Sequence, residues 1–97
     1  MTTNRTVSII INTDGRAASL ATTLESLRYL DYPNFEVCAV YGPTVDGTRE
    51  LLEARASEIK VAHCPVRNLS MSRNIGIAIA SGEILAFLDD DAIPEPE

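Results

Sequence analysis

The segment Ile84–Leu88 is apolar at all five positions and runs directly into Asp89, Asp90 and Asp91. A strand that is apolar on both faces belongs inside a sheet covered by helices on both sides, and such sheets are built from parallel strands. Parallel neighbours cannot be joined by tight hairpins, so each connection must run back along the sheet, normally as a helix. The remaining sequence meets that demand. Residues 7–12 form a second apolar run rich in isoleucine and valine, Phe35–Tyr41 a third and residues 59–63 a short fourth.

Helical signals fill the three gaps. Ala17, Leu20, Ala21, Leu24 and Leu27 recur at helical spacing, with Thr22, Thr23, Glu25 and Ser26 between them, after the turn residues Thr13, Asp14 and Gly15 and before a stop at Asp31, Tyr32 and Pro33. Asp46 is expected to cap a second helix running to Ala56 with Leu51 and Leu52 inward. Ser70 is expected to cap a third through Ala80, with Met71, Ile75, Ala78 and Ile79 as its apolar side and a left-handed stop at Ser81 and Gly82. Gly76 inside that helix costs about 1 kcal/mol relative to alanine, which predicts a tight contact with the sheet. The order βαβαβαβ predicts a three-layer α/β/α fold on a parallel sheet with strand order 3-2-1-4.

Ninety-seven residues supply one core, not two. No apolar run approaches the roughly 18 residues of a membrane span, and the first six residues lack signal-peptide character, so a cytoplasmic chain is expected. Cys38 falls mid-strand and Cys64 just past the next strand, which puts them roughly 10 Å apart along parallel neighbours at about 3.3 Å per residue. No disulfide is expected. The net charge of -6 is concentrated at one end: all 8 basic residues lie at or before Arg73, while 6 of the 14 acids follow it. Such a segment suits a cation or a basic partner and excludes a phosphate-backbone binder.

In open parallel sheets, ligands bind beyond the carboxyl ends of the strands. The loops there carry Asn12, Thr13, Asp14 and Arg16 after the first strand, residues 41–46 after the second, 63–72 after the third and the three aspartates after the fourth. Consecutive carboxylates at the end of a buried strand suit a hard cation such as Mg²⁺ or Mn²⁺, which takes one or two carboxylates and leaves other positions to water and phosphate. Arg73, in the first turn of the third helix, opposes the helix dipole and is placed to meet an anion. His63 lacks a second ligand at metal spacing. Nucleotide-binding glycine loops of the Walker or dinucleotide type are absent.

Taken together, residues 7–13, Val45-Asp46-Gly47-Thr48, residues 72–78 with Ala80-Ser81-Gly82-Glu83, and residues 86–91 resemble family 2 glycosyltransferases of the GT-A fold. The resemblance implies a Rossmann-like nucleotide-binding half and a nucleotide-diphospho-sugar donor, UDP- or GDP-linked. Thr13 with its neighbours Asp14 and Arg16, together with Tyr41, would line the nucleoside pocket. Arg73 would face the donor, Asp89 or Asp90 would meet the ribose, and Asp91, with Asp89, would ligate Mn²⁺ or Mg²⁺. Inverting transfer to an acceptor hydroxyl is implied, with the catalytic base beyond residue 97.

The chain departs from the pattern at two places. Asp14 stands where the family carries an aromatic, and Tyr41 where it carries a base-reading acid. The chain reads as the N-terminal part of one such domain, cut after the aspartates. Membrane association would come only through regions that follow, and self-association only through an open fourth strand. A sugar-nucleotidyltransferase and a receiver-like Mg²⁺-binding signalling domain are the alternatives.

Overall fold

A computed structural model describes residues 6–27, 29 and 34–90. The expected helix stop at Asp31, Tyr32 and Pro33, and the metal ligand Asp91, lie outside the described residues. Seven elements follow in the order β1 Val7–Thr13, α1 Ala17–Leu27, β2 Phe35–Tyr41, α2 Thr48–Ala54, β3 Lys60–His63, α3 Leu69–Ile79 and β4 Ile84–Leu88. The strands form one parallel sheet in the order β3-β2-β1-β4, as the sequence predicts. Among the described residues, no helix is long and apolar enough to cross a membrane.

Register fixes what happens at the carboxyl ends. Thr13 pairs with Tyr41 and Tyr41 with His63, so β1, β2 and β3 end level with one another. On the other side Ile11 pairs with Leu88, which carries the residues after β4 alongside Asn12 and Thr13. Alternation then sorts the side chains of β1 between the two faces. Ile9 and Ile11 join Val37, Ala39, Leu20, Leu24, Leu27 and Leu52 in a core beneath α1 and α2. Ile10 faces α3 instead, and both it and Ile11 are fully buried. Burying such a side chain contributes about 1.5–3 kcal/mol.

The α3 layer is built differently. Its buried residues are Ser72 and Gly76, whereas Met71 and Ala78 of the expected apolar side are exposed. The reason is proximity. A Cβ on Gly76 would sit 2.5 Å from Ile10 Cγ2, so the helix backbone lies directly on the sheet and only small residues fit between. The same closeness lets Asn12 Nδ2 donate to Ser72 Oγ at 2.7 Å. Gly82 is similarly constrained, since a Cβ there would come within 2.8 Å of both Ser8 N and Thr6 O.

The helix termini also differ from expectation. Asn68, not Ser70, caps α3, accepting from the Met71 N–H at 3.0 Å. The helix closes on Ala80 in an extended conformation, not on a left-handed glycine. Gly47 is the N-cap of α2, at φ 94°. Thr23, expected among the polar gap-fillers of α1, is buried because its hydroxyl finds a carbonyl partner in Asp90. β4 is an edge strand among the described residues, and Ile84, Leu85 and Phe87 are exposed despite their apolar pattern. The Arg73 guanidinium lies over the Phe87 ring, 5.6 Å from its centroid.

Both cysteines are buried and unpaired, in agreement with the sequence reading. Burial, reinforced by the charge of Glu36, pushes the Cys38 thiol up to about 11. At the amino end of the sheet, Glu36 accepts from the Ser8 hydroxyl, the Ser81 hydroxyl and the Ser81 N–H, and pairs with Lys60 Nζ at 3.0 Å. Burial by itself would raise its pKa, but these donors outweigh it and hold the carboxyl at about 2, against an ordinary value of 4.5.

Two outcomes are expected. Gly76→Ala should destabilise the domain by about 1–3 kcal/mol through overpacking against Ile10, although alanine is the better helix former. An unchanged or raised denaturation midpoint would refute the close approach. For Glu36 the folded pKa is depressed, so its stabilisation is fully present above about 4.5 and is lost as pH falls toward about 2. The stability difference between wild type and Glu36→Gln, measured by urea titration, should therefore be largest above pH 4.5 and shrink toward pH 2.

Candidate functional site

The four carboxyl ends open onto a cavity of about 560 Å³, within the range of small-molecule sites. Its walls come from every strand exit. Asn12, Thr13, Asp14 and Arg16 line it after β1, Gly42 after β2, residues 64 and 66–69 with Ser72 after β3, and Asp89 and Asp90 after β4. Five of the residues assigned from the sequence are thus brought together: Thr13, Asp14, Arg16, Asp89 and Asp90. Tyr41 and Arg73 are not in this wall. The Tyr41 ring packs into the core under α2, 4.8 Å from the His63 ring, and its hydroxyl lies 3.3 Å from Glu53 Oε2. Burial and the nearby Glu53 charge raise its pKa. Arg73 projects instead over Phe87.

The two described aspartates do different work. Asp90 is buried, with its carboxylate accepting from Thr13 Oγ1 at 2.8 Å and standing 3.5 Å from Arg16 Nη1. Its backbone carbonyl accepts from Thr23 Oγ1 at 3.0 Å. Asp90 thereby locks the end of β4 to β1 and to α1, and its carboxylate is turned toward the protein. Asp89 is exposed and lines the cavity. Among the described residues no three metal-ligating side chains converge.

A further carboxylate, outside the cavity wall, ties the neighbouring loops together. Asp46 accepts from Thr48 Oγ1 at 2.6 Å, from the Ala17 N–H at 3.0 Å, from Thr44 Oγ1 at 2.9 Å and from the Thr48 N–H at 3.1 Å. These bonds, the Thr48 hydroxyl foremost, hold its pKa well below the usual carboxylate range despite an opposing desolvation effect. Asp46 thus fastens the β2–α2 loop to the first turn of α1, where a helix N-terminus favours negative charge. It also accepts from the first N–H of α2, at Thr48, although Gly47 holds the N-cap position.

Sequence reasoning carried residues 63–72 to this end of the sheet but gave Arg67, Asn68 and Ser72 no role in the wall. Arg67 and Asn68 belong to no motif, and Ser72 opens the family-like run 72–78 without a role of its own. Arg67 Nη1 stands 3.4 Å from Asp14 Oδ2 and Nη2 donates to the Pro43 carbonyl at 3.3 Å. It therefore touches the loops that follow β1 and β2.

The Glycosyl transferase family 2 profile matches residues 8–97. The chain belongs to that family. It is 33% identical over 94 residues to EpsH of Bacillus subtilis (strain 168), which bears a glycosyltransferase name, and 35% identical over 83 residues to the succinoglycan biosynthesis protein ExoM of Rhizobium meliloti (strain 1021). These alignments cover 94% and 78% of this chain, which spans 27% of the length of either relative.

Solved structures agree with the family. The mannosyltransferase PcManGT from Pyrobaculum calidifontis, in complex with GDP-Man and Mn²⁺, superposes with a TM-score of 0.85 at 25% identity, over 98% of this chain and 30% of that one. TarS of S. aureus in complex with UDP superposes with a TM-score of 0.76 at 28% identity, over 88% of this chain and 27% of that one. The α/β fold of this family 2 chain is thus the GT-A fold. Neither a receiver domain nor a sugar-nucleotidyltransferase is the family so identified.

The division between the aspartates is testable by stability alone. Asp90→Ala should cost about 1–3 kcal/mol, because it removes the buried acceptor for Thr13 and Arg16. Asp89→Ala, at an exposed position, should stay within about 0.5 kcal/mol of wild type. Equal losses in thermal denaturation would overturn the assignment.

Proposed function

We propose that this chain forms the donor-binding part of an inverting, metal-dependent glycosyltransferase that takes a UDP- or GDP-linked sugar. The observation that carries the reading is the meeting of Asp89 and the Asp90-locked end of β4 with Thr13, Asp14 and Arg16 in one cavity at the carboxyl ends of the strands. Family membership and the nucleotide or nucleotide-sugar complexes of the GT-A neighbours support it. Thr13 presents a hydroxyl to the nucleoside, Asp14 pairs with Arg67 at the same wall, Arg16 brings positive charge to it, and Asp89 reaches the ribose or the cation. Arg73 is kept as a donor-facing residue only through the family resemblance, since its guanidinium lies outside the cavity wall.

The donor set fits a divalent ion. Asp89 is a hard oxygen ligand at the cavity surface, and Asp91 follows it in the sequence. When bound, Mn²⁺ or Mg²⁺ would supply positive charge against the diphosphate leaving group. Around it, the chain's own groups orient the donor and hold its nucleoside against the β1 exit. The base that removes the acceptor hydroxyl proton in an inverting transfer is assigned to sequence outside this chain.

Calorimetric titration with UDP and with GDP in the presence of Mn²⁺ tests the reading. Wild type should bind at least one of the two, and Asp89→Ala should weaken that binding by tenfold or more. Equal affinity in both proteins would remove Asp89 from the site, and an absence of binding to wild type would overturn the donor-binding function.

A further inference from the structure

Of the arginines near the carboxyl end of the sheet, Arg49 pairs with Glu53 outside the cavity wall, and the surroundings of Arg16, Arg67 and Arg73 differ. Arg16 faces the buried carboxylate of Asp90, which would be left with one fewer partner if the guanidinium turned away. Arg73 covers Phe87 outside the cavity wall. Arg67 lines the cavity, and its ion-pair partner Asp14 is itself exposed, with side-chain exposures of 65% and 58% for the pair. A surface pair of this kind contributes only about 0–1 kcal/mol. Its contacts of 3.4 Å and 3.3 Å use two of the five guanidinium donors, one to Asp14 and one to the Pro43 carbonyl.

The cavity also presents a charge problem. Asp14, Asp89 and Asp90 line it beside Arg16 and Arg67. With Arg16 held by Asp90 and Arg67 by Asp14, the carboxylate of Asp89 is left to repel an entering diphosphate unless a cationic side chain can turn toward it. We propose that Arg67 is that side chain: it exchanges the Asp14 carboxylate for a ligand phosphate, so that Asp14 acts as an internal competitor with the phosphate for one guanidinium. The inference rests on the donor-binding function above. A guanidinium is suited to the exchange because its planar fork matches carboxylate and phosphate alike. Little is lost when it leaves an exposed acceptor. The Pro43 contact is made by Nη2 of the same guanidinium, so the tip can pivot there and turn Nη1 from Asp14 to the phosphate, with no loop rearrangement.

The competition has a signature that a merely structural arginine would not give. In calorimetry with UDP and GDP at fixed Mn²⁺, Arg67→Ala should weaken diphosphate binding by about 10–100-fold, as expected for loss of a charge-assisted contact. Asp14→Ala should tighten it by up to about fivefold, the worth of the surface pair. In the Arg67→Ala background, Asp14→Ala should bring no gain, and uridine or guanosine should bind all the arginine variants alike. Arg67→Lys, which keeps the charge without the fork, should fall between wild type and Arg67→Ala. If Arg67→Ala leaves diphosphate affinity unchanged, or if Asp14→Ala weakens binding in both backgrounds, the exchange is wrong while donor binding stands. If wild type binds neither diphosphate, both fall together.

Discussion

Everything in this domain takes its position from β1. With β2 it is one of the two strands paired on both sides among the described residues, joined to β2 through seven matched residues and to β4 through five. β3 reaches it only through β2. A parallel ladder gives neighbouring strands the same sense, so the choice of register on either side of β1 decides which residues emerge together. Because Thr13 is level with Tyr41 and Leu88 is level with Ile11, three strand exits and the start of the acidic segment open at one depth. The cavity is the consequence of that alignment.

The two faces of β1 solve the packing problem in opposite ways. Toward α1 and α2 the sheet presents Ile9 and Ile11 to leucines, and distance is set by large side chains filling the gap. Toward α3 the gap is closed by removing side chains, with Gly76 over Ile10 and Ser72 over Asn12. Close approach has a chemical result. It places a helix whose first turns border the cavity near the exit of β1, so Asn68 and Ser72 become wall residues instead of remote ones.

The architecture was legible in the sequence because it depends on features that periodicity reports: continuous apolar runs, helical spacing and crossovers too long for hairpins. Strand order and the absence of a disulfide came with it. The side of α3 that faces the sheet was not legible from hydrophobicity, since the buried positions are the small ones and Met71 is left outside. Gly76 was the one hint of that inversion. Within the site, the triplet marked the place but not the roles. Once the chain leaves β4, alternation no longer says which carboxylate turns inward, and the answer depends on Thr13, Arg16 and Thr23 meeting Asp90 in three dimensions. The role of Arg67, within the segment 63–72 that topology brings to the site, was invisible for a related reason: its two partners, Asp14 and Pro43, are distant in sequence and sit in other loops.

The central position of β1 also governs the order in which the sheet can assemble. Its β2 partner lies within one helical crossover, but its β4 partner is far along the chain, and the Thr13–Asp90 bond joins residues 77 apart. Closing a loop of that length is entropically expensive and slows folding relative to local pairing. Strand β1 is therefore laid down first and completed last, with one row of its amide and carbonyl groups exposed until the fourth strand arrives. During synthesis the chain carries a central strand of the sheet half-paired, and that interval is when it is most open to non-native pairing with other strands.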